Sequence, residues 1–315
     1  EEKLKVLDNL YSSRKYISTL DFAGGDPIYD DKIRTVIMQA INSIGEDKIS
    51  VTTTGKGITS ASDISEEDLS RLLKKCEITI DASHENLSSS SLNSTFSRNS
   101  PEYSNNNYTQ IISISDSSQY LTINIPLVDD DLTEEEIDIL IAKLSAIQKY
   151  YKGKQIETQL IRLMPVGAFC SSNKENYLKY NPIFLAKKLK IRIEGIKIPC
   201  RYHCSLRVLP SIEACDKRCN MLDKKLGIDC SGNVFACPWG AYLHNTNITN
   251  NPFYLGNLVS TKLKDILEGQ YKKTEAYKRI YNDVKNNTNK PYCEVVSYYI
   301  NDTIEENNDP LFKKK

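Results

Sequence analysis

The chain has 315 residues, 40% hydrophobic and 26% charged, and its 41 basic and 41 acidic residues give a formal net charge of zero. That length exceeds what most single cores reach, so one large domain with a smaller companion is expected. Zero net charge gives no global electrostatic reason for a nucleic-acid or anionic-membrane partner. No apolar run of about 18 residues suits a membrane span, and the opening EEKLKVLDNLYSSRKY is charged and amphipathic rather than signal-like. A cytoplasmic protein is therefore expected.

Residues 1 to about 15 read as the end of a helix, with Leu4, Val6, Leu7 and Leu10 on its apolar side. Residues 19–22 read as a short strand, and Gly24-Gly25-Asp26-Pro27 as the loop at its C-terminal end. Adjacent glycines there suit an unusual backbone angle or a close approach to the main chain. A helix follows from about residue 31 to 43, with Ile33, Val36, Ile37, Ala40 and Ile41 on one side. Residues 48–53 form the next strand and Thr54-Gly55-Lys56-Gly57 its terminal loop. Ser65 opens a helix carrying Leu69, Leu72 and Leu73. Residues 77–82 form a strand ending in Asp81-Ala82-Ser83-His84.

Residues 85–109, dense in serine and asparagine, read as a long and partly ordered loop. Strands resume at 110–115 and 120–128. Thr133-Glu134-Glu135-Glu136 is a capping box that opens a helix to about residue 151, with Ile137, Leu140, Ile141, Leu144 and Ile147 facing inward. Residues 157–164 form a strand that meets Pro165-Val166-Gly167. A helix over about 182–189 and a final strand over 190–198 complete this part. Such alternation suits a parallel sheet covered by helices. Loops 24–27, 54–57, 81–84 and 165–167 then gather on one rim, where sites form.

Nine cysteines stand at 76, 170, 200, 204, 215, 219, 230, 237 and 293. Their odd number, the size of the chain and the absence of an export signal favour thiols kept for metal over disulfides. Seven of the nine follow residue 199, which sets the expected domain boundary: 1–198 and 199–315. In GIDCSGNVFACPW, residues 229–233 turn and 234–237 return, so Cys230 and Cys237 stand on either side of a hairpin. With Cys200-x3-Cys204 and Cys215-x3-Cys219 nearby, the set suits a four-cysteine zinc site or an iron–sulfur cluster. Composition alone does not decide between them. Cys76 and Cys170 read as buried, inert thiols.

On these residues the chain resembles the radical S-adenosylmethionine (SAM) superfamily, in the branch with a C-terminal SPASM or shorter twitch extension. Gly24-Gly25-Asp26-Pro27 is similar to the family's Gly-Gly-Glu-Pro loop, with an aspartate for the glutamate. Thr52-Thr53-Thr54-Gly55, Ile80-Asp81-Ala82 and Leu163-Met164-Pro165-Val166-Gly167 resemble three further rim segments. Cys219, Gly232 and Cys237 fit the SPASM opening, Cys-x(9–15)-Gly-x4-Cys, and Leu255-Gly256-Asn257-Leu258 follows as in that family.

The resemblance implies an α/β fold: a partial (β/α)6 TIM-like barrel, followed by a small cysteine-rich α+β domain containing a β-hairpin. It implies SAM contacts from Gly24, Gly25, Asp26, Pro27, Thr54, Asp81, Met164 and Pro165. It further implies one auxiliary [4Fe–4S] cluster on Cys219 and Cys237, completed by two of Cys200, Cys204, Cys215, Cys230 and Cys293. The family's Cys-x3-Cys-x2-Cys for the catalytic cluster is absent from this sequence. The reading adopted is that those ligands lie outside this chain; loss of the catalytic cluster is the alternative. The implied activity is modification of a ribosomally made peptide or a protein side chain through a 5′-deoxyadenosyl radical, with that peptide or protein and an external electron donor as partners. Arg162 and His84 are candidate substrate contacts, and no catalytic residue is assigned. Two alternatives stand beside this reading: a non-enzymatic, metal-stabilised partner protein of the same fold, and a zinc-stabilised structural module.

Overall fold

The computed structural model describes residues 2–24, 27–28, 30–53, 64–79, 120–127, 130–164, 174–207, 225–243, 248–270 and 293–301, with residues 209, 212 and 278. Within them the chain divides into two compact units. One comprises Glu1–Tyr16, Met164–Tyr180 and Cys204–Lys315; the other comprises Ile17–Leu163 and Asn181–His203.

The second of these holds a six-stranded sheet: β1 (Leu20–Phe22), β2 (Ile49–Thr53), β3 (Cys76–Thr79), β4 (Tyr120–Leu127), β5 (Gln155–Arg162) and β6 (Cys200–Tyr202). The strands lie side by side in chain order, and every neighbouring pair is parallel. Parallel neighbours need a crossover each time. Helices α2 (Asp31–Ile44), α3 (Glu66–Leu73), α4 (Glu134–Tyr150) and α6 (Ile183–Gly195) lie in those crossovers; α1 (Glu2–Tyr11) and α5 (Lys174–Lys179) belong to the other unit. The sheet is open among the described residues, consistent with a partial, unclosed barrel.

The strand register sorts side chains onto two unlike faces. Ile49, Val51, Leu121, Ile123, Ile125 and Leu160 share one face and are nearly inaccessible to solvent. Ile37 and Ile41 of α2, Leu140 and Leu144 of α4, and Leu189 and Ile193 of α6 supply the matching apolar helix faces. Each such burial is worth about 1.5–3 kcal/mol. The opposite face is polar. Ser50 donates to Asp21 Oδ1 (2.9 Å), Gln159 Nε2 donates to Asn124 Oδ1 (3.1 Å), and Arg201 pairs with Glu157 (2.8 Å).

The expected helix starts are present. Ser65 Oγ accepts from the Asp68 amide at 3.1 Å. Thr133 forms a full capping box: its hydroxyl accepts from the Glu136 amide (3.3 Å), and the Glu136 carboxylate accepts from the Thr133 amide (2.7 Å). Two expectations are corrected. The alternating stretch at 190–198 is not the final strand; α6 runs through it to Gly195, and the strand is Cys200–Tyr202. A stripe of Leu185, Ala186, Leu189 and Ile193 outweighs the local alternation, leaving Ile191 71% exposed. On α2 the buried stripe is Arg34, Ile37, Met38, Ala40, Ile41 and Ile44, so Ile33 and Val36 lie at its margin and an arginine enters it. The strand expected at 110–115 lies outside the described residues.

The other unit is built on an antiparallel sheet of β7 (Gly227–Ile228), β8 (Asn233–Phe235) and β9 (Tyr254–Asn257). It also holds α7 (Cys204–Arg207), α8 (Leu263–Asp265), a π-helical turn at Ile266–Gln270 and α9 (Glu294–Asn301). α1 buries Leu7 and Leu10 here, and its Asn9 Nδ2 donates to the Leu258 carbonyl at 2.6 Å. Tyr298 of α9 meets the Phe253 ring edge-on, and Tyr299 meets Tyr177 of α5 in the same manner. No helix among the described residues is long and apolar enough to cross a membrane.

Candidate functional site

The hairpin is organised around Asp229. Its Oδ1 accepts from the amides of Ser231 and Asn233, both at 2.9 Å, and its Oδ2 accepts from Asn233 Nδ2 at 2.8 Å. Asn257 on β9 reaches over the turn, donating to the Ser231 carbonyl (3.1 Å) and to Asn233 Oδ1 (2.8 Å). Gly232 takes φ +78° in this turn, a left-handed angle that favours glycine. A tight turn of this kind presents Cys230 exposed at the tip, while Cys237, two residues beyond β8, is buried.

Cys237 is placed by a close backbone approach. A Cβ on Gly227 would stand 2.7 Å from Pro238 Cα and 2.9 Å from the Cys237 carbonyl oxygen, so only glycine at 227 lets the two strands of backbone meet. The Cys237 carbonyl in turn accepts from the Gly240 amide at 3.0 Å, turning the chain into the Trp239–Tyr242 3₁₀ segment.

Cys200, Cys204, Cys230, Cys237 and Cys293 carry thiols rather than disulfides. Cys204, Cys230, Cys237 and Cys293 lie in the unit that contains the hairpin, and Cys200 lies in the sheet unit. Burial pushes the Cys204 thiol up, against the pull of the Lys225 and Arg207 positive charges. These cations would favour a thiolate there, which is what an iron or zinc ligand must be. Cys200 sits on the helix-covered face of β6 beside Tyr202, where burial pushes its thiol up against the opposing effects of a Thr158 hydrogen bond and the Lys190 charge. Lys190 Nζ donates to the Cys200 carbonyl. Cys215 and Cys219 lie outside the described residues. Among the described residues no three His, Cys, Asp or Glu side chains gather as a metal site. The donor chemistry itself fits a cluster, since four thiols of one unit are available before Cys215 and Cys219 are counted.

At the β1 rim, Gly24 is exposed with φ +90°, and Pro27 and Ile28 are buried. Asp30 caps α2, accepting from the amides of Lys32 (2.8 Å) and Ile33 (3.2 Å). Arg34 is 3% exposed, and its Nη1 donates to the Ile28 carbonyl. This arginine escaped the sequence reading, although a signal was available. It stands three, four and seven residues before Ile37, Met38 and Ile41, which puts a charge on an apolar stripe. Gly25, Asp26, Thr54, Asp81, His84 and Pro165 lie outside the described residues. Met164 is buried. Arg162 is 1% exposed and shares the helix-covered face with Thr158 and Leu160, opposite Glu157 and Gln159.

Residues 219–295 match the SPASM iron–sulfur cluster-binding domain, and residues 1–101 match a 4Fe–4S single cluster domain. Over these two stretches the chain is similar to iron–sulfur cluster-binding domains. The SPASM match contains the Asp229 turn, Gly232, Cys237 and β9. The match at 1–101 contains a single cysteine, Cys76, so that stretch does not hold four thiolate ligands. No curated protein matches the chain.

Proposed function

We propose that this chain carries the partial barrel and auxiliary-cluster domain of a radical SAM enzyme that modifies a ribosomally made peptide or a protein side chain. The observation that carries the reading is the SPASM match at 219–295 over a hairpin whose Gly227 leaves room for the backbone of Cys237 and Pro238. When bound, SAM and its reducing cluster supply the radical that abstracts a substrate hydrogen. The chain's own residues receive and shield. The Gly24–Pro27 loop takes the amino group of SAM, and Thr54, Asp81, Met164 and Pro165 border the rest of it. Cys219 and Cys237 hold the auxiliary cluster with two further thiolates, and the polar face of the sheet offers hydrogen-bonding groups to substrate. An external donor supplies electrons.

The test is the iron, sulfide and zinc content of anaerobically purified protein, together with SAM binding. About four irons and four sulfides from the C-terminal cysteines, with no zinc, is the expected result. One zinc without sulfide refutes the auxiliary cluster and leaves a structural zinc module.

A further inference from the structure

We infer that the Asn124–Gln159 pair on the polar face of the six-stranded sheet is a specificity-determining subsite for an amide group of the peptide or protein substrate; this rests on the function proposed above. The two residues stand directly opposite each other in the parallel pairing of β4 and β5. Side chains alternate along each strand, so Ile123, Ile125 and Leu160 go to the helix-covered face and this pair goes to the other. Asn124 is 3% exposed. Burying a carboxamide that far is costly unless its polar atoms find partners. Two aliphatic side chains would cover this part of the face and leave no polar atom unused.

The pair satisfies itself only in part. Gln159 Nε2 donates to Asn124 Oδ1 at 3.1 Å. Among the described residues nothing accepts from Asn124 Nδ2 and nothing donates to Gln159 Oε1. Turning both amides over reverses the bond and still leaves one donor and one acceptor open. A hydroxyl carries donor and acceptor on one oxygen; an amide carries them on separate atoms and can meet both. A side-chain carboxamide does so by itself, and an extended main chain does so with the N–H and C=O of one residue. The charges nearby favour a neutral ligand. Arg201 stands opposite Gln159 in the register, yet its guanidinium pairs with Glu157 at 2.8 Å. Two positions toward the C-terminal ends of β4 and β5, the same face carries the half-buried Pro126 and Ile161. Strand C-terminal ends are where barrel sites form, so the amide is held beneath an apolar layer that suits an apolar neighbour in the substrate.

The experiment uses the full chain, purified anaerobically with isotope-labelled asparagine and glutamine, and follows the side-chain NH2 resonances of Asn124 and Gln159. Their absence from Asn124→Leu and Gln159→Met assigns them. Propionamide probes a side-chain source, and N-acetylglycine N-methylamide probes a main-chain source. Their counterparts N,N-dimethylpropionamide and N-acetylsarcosine N-methylamide lack the N–H in question. A saturable shift of both resonances is expected with at least one of the first two compounds, and binding at least about tenfold weaker with its counterpart. Response to propionamide alone identifies an asparagine or glutamine side chain as the group received; response to the glycine compound alone identifies an extended main chain. Thr122→Val, two positions away on the same face, should keep the response, and Asn124→Leu should abolish it at Gln159. The inference is overturned by the absence of a saturable shift with either amide, by equal shifts with the N-methylated counterparts, or by a Gln159 response that survives Asn124→Leu. The resonances report on the pair without SAM or iron, so such a failure leaves the proposed function standing, and the iron and sulfide content decides that function separately.

Discussion

Asn9 and Leu258, 249 positions apart in sequence, are joined by a hydrogen bond of 2.6 Å from the Asn9 side chain to the Leu258 carbonyl. The Leu258 amide is itself tied to the Gly232 carbonyl at 2.8 Å. Helix α1 is thus fastened to the segment that closes the cysteine hairpin. Gly232 also depends on α1, because a Cβ there would stand 2.7 Å from Val6 Cγ2 and 3.2 Å from Val259 Cγ2.

Asn9→Ala should therefore lower stability by about 1 kcal/mol, read as a shift in the urea midpoint. Gly232→Ala should cost more, about 1–3 kcal/mol, since it adds left-handed strain to a steric conflict. Combining it with Val6→Ala should recover part of that loss by removing the conflict but not the strain. Simple additivity of the two substitutions would argue against the contact.

Asp229 accepts three hydrogen bonds within a five-residue turn, two of them from backbone amides. Asp229→Ala leaves those amides without their partner and is expected to cost about 2 kcal/mol. Asp229→Asn retains one acceptor oxygen and should cost less. Chemical denaturation gives the ordering; equal losses for the two would show that the turn does not rely on side-chain acceptance.

Iron content should separate Cys237 from Cys200. Cys237 lies within the SPASM match and is positioned by the Gly227 approach, so Cys237→Ala is expected to lose most of the iron and sulfide. Cys200 is 5% exposed on the helix-covered face of the sheet. Cys200→Ala should keep the full iron complement and show only a packing loss. Loss of iron in Cys200→Ala with a folded circular-dichroism spectrum would make it a ligand after all.

Asp130 gives a pH-dependent prediction. Its carboxyl accepts from the Asn181 amide at 2.7 Å, yet desolvation outweighs that bond and holds its pKa above the ordinary carboxylate value. A raised acid binds its proton more readily when folded. Its contribution to stability is fully present below the unfolded pKa near 3.8 and is lost as pH rises through the higher folded value. Asp130→Asn keeps the acceptor and cannot ionise. It should melt higher than the parent at neutral pH, with the difference vanishing as the pH is lowered past about 4. A gap that persists at low pH would assign the effect to packing instead.

Much of this protein was legible along the chain, because the signals concerned are local. Ser65 and Thr133 cap helices through hydrogen bonds to residues three positions away. The turn before Gly232 is closed by Asp229, four residues or fewer from each partner. The spacing of Cys219, Gly232 and Cys237 marks a cluster-binding extension without any tertiary information. Three features waited for the tertiary structure, each for a non-local reason. Residues 190–195 alternate like a strand, but burying Leu189 and Ile193 with the rest of the α6 stripe removes more apolar surface from water, so they are helical and Ile191 is left in solvent. Arg34 looks like one more charge on a helix until the Ile28 carbonyl is seen to receive it. Helix α1 reads as the first element of the barrel half, and the bond from Asn9 to Leu258 joins it to the hairpin instead. Hydrogen bonds and caps between near neighbours are written in spacing. Which distant surface a side chain will cover is settled only when the whole chain competes for burial.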